Sequence, residues 1–118
     1  INWYINADVR EMRGCWSGEV AADKLLGILK PACQTLYLPP DSMEKGMGKL
    51  IRRYRLVPDP KGAIELLPAF WNFSLNSHHP DIAPAILVYA DLLSSLDPRN
   101  IEIARKLYET KIEHDLQA

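Results

Sequence analysis

Cysteine is scarce in this sequence. Cys15 and Cys33 are the only two in 118 residues, and they fall outside any paired Cys-x-x-Cys spacing. That excludes a zinc knuckle, permits a disulfide without implying one, and reads most simply as two reduced thiols in a cytoplasmic protein. Long apolar runs are missing as well. None reaches the ~18 residues that span a bilayer, and no basic start leads into an apolar core of the signal-peptide kind. Nor is there an excess of charge of either sign, since 14 Lys and Arg against 15 Asp and Glu leave a formal net charge of −1. Bulk attraction to nucleic acid is thereby excluded, so any such contact must come from a local patch. Repeats and low-complexity tracts are absent too, and 47% hydrophobic with 25% charged residues is the composition of a folded globular chain. One domain is expected over residues 1–118, with a core burying roughly two thirds of the unfolded surface. The opening at Ile1 instead of methionine points to a piece of a longer protein.

What is present is clear punctuation. Asp97 and Pro98 open a helix as N-cap and first helical residue. Ile101, Ala104, Leu107, Tyr108 and Ile112 then mark one face, and Glu102 faces Lys106 one turn on, as expected of a surface helix. Before it, Ala85 to Leu93 is apolar on every side except at Asp91, the pattern of a helix buried in a core. Ser17 offers an N-cap for a helix from about Gly18 to Leu29, with Glu19 in its first turn and Pro31 beyond its end. Thr35 to Leu38 reads as a short buried strand. Asp41 or Ser42 can cap a helix whose core face is Met43, Met47, Leu50 and Ile51. Trp3 to Ile5 and Val9 to Met12 read as two more short strands. Arg53 to Val57 and Ile64 to Phe70 flank Asp59-Pro60-Lys61-Gly62, whose proline and glycine suit a type I turn and predict a β-hairpin. The fold class is therefore α/β (α+β): a small mixed sheet with a hairpin, packed against about four helices, two of them C-terminal.

Candidate functional residues fall into two groups. Lys45, Lys49 and Arg52 recur at spacings of four and three, opposite the methionine face, and Arg53 and Arg55 follow directly. Such a stripe can position a phosphate backbone without reading sequence, and the plainer alternative is a solvated helix face beside an edge strand that charge protects. The second group is a polar one. Asp23 and Asp91 lie in apolar or small-residue helix stretches, where a carboxylate must be paired or hydrogen-bonded. Either they form half of a polar site with Arg13, or each is a structural anchor. Arg13, Trp16 and Glu19 surround a glycine-bracketed turn into a helix start, where free amides can receive an anion, although Trp16 is more simply a core or interface aromatic. His78, His79 and Asp81 do not make a metal site, because adjacent histidines diverge and no third ligand is placed by spacing. No Gly-x-Ser-x-Gly, Walker loop or zinc-protease helix occurs, so no catalytic residue and no cofactor is assigned.

Three blocks, WSGEVAADKLLGILKP with TLYL, RYRLVPDPKGAIELLPAFWNF, and PAILVYADLLSSLDPRNIEIARKLYE, together resemble the C-terminal part of the AbiEi-like antitoxins, transcriptional regulators of bacterial type IV toxin-antitoxin (abortive infection) systems. The resemblance runs from Trp16 to about Glu109. It implies a C-terminal domain concerned with antitoxin activity and assembly, following a winged helix-turn-helix that reads the operator. It further implies a functional link to a nucleotidyltransferase-like toxin, opposed without a tight complex. No helix-turn-helix pattern precedes the α/β part here, so no operator-reading residue carries over.

The leading expectation is a regulator domain that acts by interaction, with DNA contact through the full-length protein and no membrane partner. An alternative is a small nuclease or phosphate-handling enzyme using Glu19, Asp23 and Asp91 with Arg13, which requires those acids to converge in one cleft. Another is a structural dimerisation module, a homo-oligomer meeting through the last helix or through Phe70, Trp71 and Phe73.

Overall fold

The segment between Gly14 and Gly18 is the seed of the sheet in this computed structural model, which describes residues 3–5, 7–27, 30–56, 64–70 and 81–112. Cys15–Ser17 forms β1, and all three residues are buried. It is hydrogen-bonded on both flanks. On one side it runs antiparallel to β2 (Gln34–Leu38), with Trp16 opposite Leu36. On the other, Trp16 donates its N–H to the Asp81 carbonyl at 2.7 Å and accepts from the Ala83 N–H at 2.8 Å. A strand shut from water on both faces needs such partners for its backbone groups. The far edge of β2 carries β3 (Ile64–Pro68) in parallel, with Leu66 opposite Leu36. The sheet is thus mixed, in the order β1-β2-β3.

The α-helices among the described residues are α1 (Gly18–Leu26), α2 (Met43–Tyr54), α3 (Ala85–Ser94) and α4 (Pro98–Leu107). α1 packs on β1 and β2, and α3 packs against α1 and α4. The core is centred on Trp16, Leu36, Leu38, Leu50, Leu92 and Leu107, none more than 1% exposed. Each such side chain contributes about 2 kcal/mol from burial. Trp3 lies between the rings of Trp16 and Tyr54, at centroid distances of 5.6 and 5.4 Å, and so ties the start of the chain to the end of α2. Asp97 caps α4 as its position demands, accepting from the Arg99 N–H at 2.8 Å.

The fold is α+β with a small mixed sheet, and within it several local expectations are corrected. Trp3–Ile5 and Arg10–Met12 are single 3-10 turns, not strands. The Val9 carbonyl accepts from Met12 and Gly14, and Arg13 turns left-handed at φ 57°, so the chain curls back and extends only from Cys15. α1 ends at Leu26 instead of Leu29, because Gly27 takes φ 69° and donates to the Asp23 carbonyl at 2.7 Å. Among the described residues the first strand of the expected hairpin does not form. Arg53 and Tyr54 finish α2, Arg55 is left-handed at φ 55°, and the strand from Ile64 pairs with β2; the turn at 59–62 lies outside the described residues. So do Trp71, Phe73, His78 and His79.

α3 is not buried all round: Val88 and Leu92 are buried against its neighbours, but Ile86 is 56% exposed. On α4 the core takes Asn100, Ile103, Ala104 and Leu107, leaving Ile101 and Tyr108 exposed. The helix runs on into a wider π-type turn over Tyr108–Ile112, which ends the regular spacing. Glu102 pairs with Arg105, not Lys106.

Candidate functional site

The spacing on α2 aligns Lys45, Lys49 and Arg52, with Lys45 and Arg52 exposed and Lys49 half-buried. Arg13, left-handed after its 3-10 turn, joins them. Arg13, Lys45 and Lys49 line one cleft of about 170 Å³ together with Glu11 and Ser42. Arg13 Nη2 stands 3.5 Å from both Asp41 Oδ1 and Ser42 Oγ, and Arg13 and Asp41 are exposed. Contacts that long and that solvated hold a guanidinium only weakly. The Arg52 guanidinium lies back over Gly48, its Nη1 3.2 Å from where a Cβ would stand. Arg53 is committed elsewhere, because both of its terminal nitrogens donate to the Glu11 carboxylate, and that hydrogen bond raises its pKa. Arg55 caps the end of the helix. The stripe therefore resolves into a cluster of Arg13, Lys45 and Lys49 around a cleft, Arg52 beside it, and Arg53 already partnered. Three cationic side chains, two from α2 and one from the turn at Arg13, line this cleft, and such donors suit an anion such as a phosphate oxygen.

The acidic residues form a separate seam. Glu19, in the first turn of α1, accepts from the Ala32 N–H and Arg99 Nη2, both at 2.9 Å, and from Asn100 Nδ2 at 3.1 Å. Asp91 on α3 accepts from Ser17 Oγ at 2.6 Å and from the Tyr37 hydroxyl at 3.0 Å. Ser17 occupies the N-cap position of α1 but makes no side-chain cap, because its hydroxyl crosses to Asp91 instead. Burial first, then the Asp91 charge, pushes the Tyr37 phenol well above its ordinary value, so it stays protonated and donates. Glu19 and Asp91 line a second cleft of about 260 Å³, with Cys33, Thr35, Glu65 and Asn100 among its walls. The Cys33 thiol is raised by burial and then by Glu19 and Glu65.

Of the polar set read from sequence, the fold brings Glu19 and Asp91 together and leaves three residues out. Arg13 lies at the basic cleft, and Asp23 is half-buried on α1, outside both clefts. Trp16 is wholly buried in the core, its indole N–H without a partner among the described residues. Sequence reasoning missed Asn100 and Glu65. An asparagine inside a helix, where its propensity is poor, was the available signal for the first; no signal pointed to the second. Among the described residues no group of three or more His, Cys, Asp or Glu could hold a metal ion. No helix among them is long and apolar enough to cross a membrane.

A family model described as "Transcriptional regulator, AbiEi antitoxin, Type IV TA system" matches residues 1–113. No curated protein and no solved structure matches the chain.

Proposed function

The chain belongs to the AbiEi antitoxin family, the transcriptional regulators of type IV toxin-antitoxin systems, and on that premise we propose that it works in the bacterial cytoplasm by contact, with α2 lying along a nucleic-acid backbone. The observation that carries this reading is the convergence of Arg13, Lys45 and Lys49 on one cleft, with Arg52 beside them and no ion pair to Lys45, Lys49 or Arg52 among the described residues. In a chain of net charge −1 this is the local patch that phosphate contact requires. Contacts of this kind fix position on the duplex and leave sequence reading to other groups. The same role accounts for the functional tie to a nucleotidyltransferase-like toxin: repression of a shared operator sets the toxin's level without a catalytic step in the antitoxin.

The test is repression of the cognate operator in a reporter strain. Lys45→Ala/Lys49→Ala/Arg52→Ala is expected to derepress at unchanged protein level, and Arg53→Gln/Glu11→Gln, which removes that ion pair as a unit, to repress as before. Full repression by the triple variant would remove α2 from the nucleic-acid contact.

A further inference from the structure

The basic cleft is a concave site and not a flat helix face. Of its lining residues Arg13, Lys45 and Lys49 are cations and Glu11 is the one acid. Glu11 accepts from both terminal nitrogens of Arg53, which does not line the cleft, so its charge is answered from outside. Asp41, the other carboxylate near Arg13, is 78% exposed, screened by water, and also outside the lining. Three positive charges therefore face a space whose own acid is already neutralised.

Size and floor narrow what can enter. Met12 and Gly46 line the cleft and are buried, so they form its bottom. At about 170 Å³ the cleft falls below the ~300 Å³ at which sites begin to enclose a whole small molecule, and it suits one end group. Ser42 adds a hydroxyl: its Oγ accepts from Arg13 Nη2 at 3.5 Å, which leaves its hydrogen free to donate.

Phosphate groups come in two forms that such a cleft can tell apart. The internal phosphate of a strand is a diester, with one negative charge and two free oxygens. A monoester has three free oxygens and, with a second pKa of about 6, carries nearly two charges at neutral pH. Three cations and a hydroxyl around a closed floor answer three oxygens and two charges more fully than two and one.

We infer that the cleft binds a phosphate monoester end-on, through Arg13, Lys45 and Lys49 with the Ser42 hydroxyl as neutral donor. This rests on the reading of α2 as a phosphate-contacting face and names which phosphate the concave part of that face prefers. The group arrives on a free small molecule or as the terminal phosphate of a nucleic-acid strand, and an occupied cleft withdraws Lys45 and Lys49 from the duplex backbone.

The probe is methyl phosphate, titrated into the 15N-labelled chain at about pH 7.5, where it is a dianion, beside dimethyl phosphate at matched ionic strength. Saturable shifts at the amides of Arg13, Ser42, Gly46 and Lys49 are expected, with the monoester bound roughly three-fold or more tighter than the diester. Arg13→Gln is expected to weaken methyl phosphate roughly two- to five-fold. Arg52→Ala should bind it as the parent does, since that guanidinium lies over Gly48 and outside the lining. A 5′-phosphorylated oligothymidylate bound more tightly than thymidine 5′-monophosphate assigns a strand end, and the reverse order a free molecule; either supports the site. Dimethyl phosphate bound as tightly as methyl phosphate, shifts scattered over unrelated surface lysines, or equal losses in Arg13→Gln and Arg52→Ala would overturn it. None of those results touches operator repression, which the triple variant of α2 reads separately.

Discussion

Ser17 Oγ stands 2.6 Å from Asp91 Oδ2, and that bond ties the end of β1 to the middle of α3 across 74 residues of sequence. The Tyr37 hydroxyl reaches the same oxygen at 3.0 Å from β2, so one carboxylate fastens two strands to one helix. Asp91→Ala leaves two hydroxyls without their charged acceptor and is expected to cost about 1–3 kcal/mol, with Ser17→Ala and Tyr37→Phe each costing less. Chemical denaturation of the three variants checks the order. An Asp91→Ala protein as stable as the parent would show that the seam is incidental.

Glu19 should matter at least as much, because it is the acceptor for Ala32, Arg99 and Asn100 at once. Replacing it with alanine strands a buried amide, and a loss of about 2–3 kcal/mol follows. Glu19→Gln keeps one acceptor oxygen and should recover part of that loss. A stability equal to the parent's in Glu19→Ala would contradict the assignment.

Gly18 and Gly27 separate backbone strain from crowding. Both have positive φ, 57° and 69°, but a Cβ at Gly27 meets nothing within 4 Å, whereas at Gly18 it would stand 3.2 Å from Thr35 Oγ1. Gly27→Ala is expected to lower stability by about 1–2 kcal/mol from the left-handed backbone alone. Gly18→Ala should cost more. Equal midpoint shifts in urea would rule out the steric part.

Stability should also fall in alkali through Cys15. Burial, and secondarily the Asp81 charge, pushes its thiol from 9.0 up to about 11. The unfolded chain releases this proton near pH 9.0 while the fold holds it to about 11, so the contribution is intact below pH 9 and is lost as pH climbs toward 11. The loss approaches about 2 kcal/mol at the upper end. Thermal melts of the parent and of Cys15→Ala should therefore converge over that range as the parent loses its advantage. A gap independent of pH would contradict the shift.

What the sequence discloses here is what is local. Asp97-Pro98 specifies its helix start within a few residues, and the cap forms as read. The Lys45, Lys49 and Arg52 stripe follows from helical spacing in the same way. Where structure departs from local pattern, the deciding partner is remote in sequence. The turn chemistry of residues 59–62 suggested that the strand from Ile64 folds back on its neighbour, yet its edge is taken by β2. Three residues between Gly14 and Gly18 carry no periodicity and suggest a turn, and the flanks from β2 and Ile82 make them the strand β1. The polar reading puts Arg13 with Asp23 and Asp91, whereas the 3-10 turn before it delivers it to Lys45 and Lys49. The Asn100 to Glu19 bond closes over 81 residues, a distance at which pattern reading has no purchase.

The central claim is that α2 supplies phosphate contacts, and salt dependence of operator binding tests it most directly. Each lost contact removes about 0.9 from the slope of log affinity against log salt. Lys45→Ala/Lys49→Ala/Arg52→Ala is expected to bind more weakly and with a slope shallower by up to about 2.7, three contacts at 0.9 each. A slope identical to the parent's, in a variant that melts normally, would contradict the account.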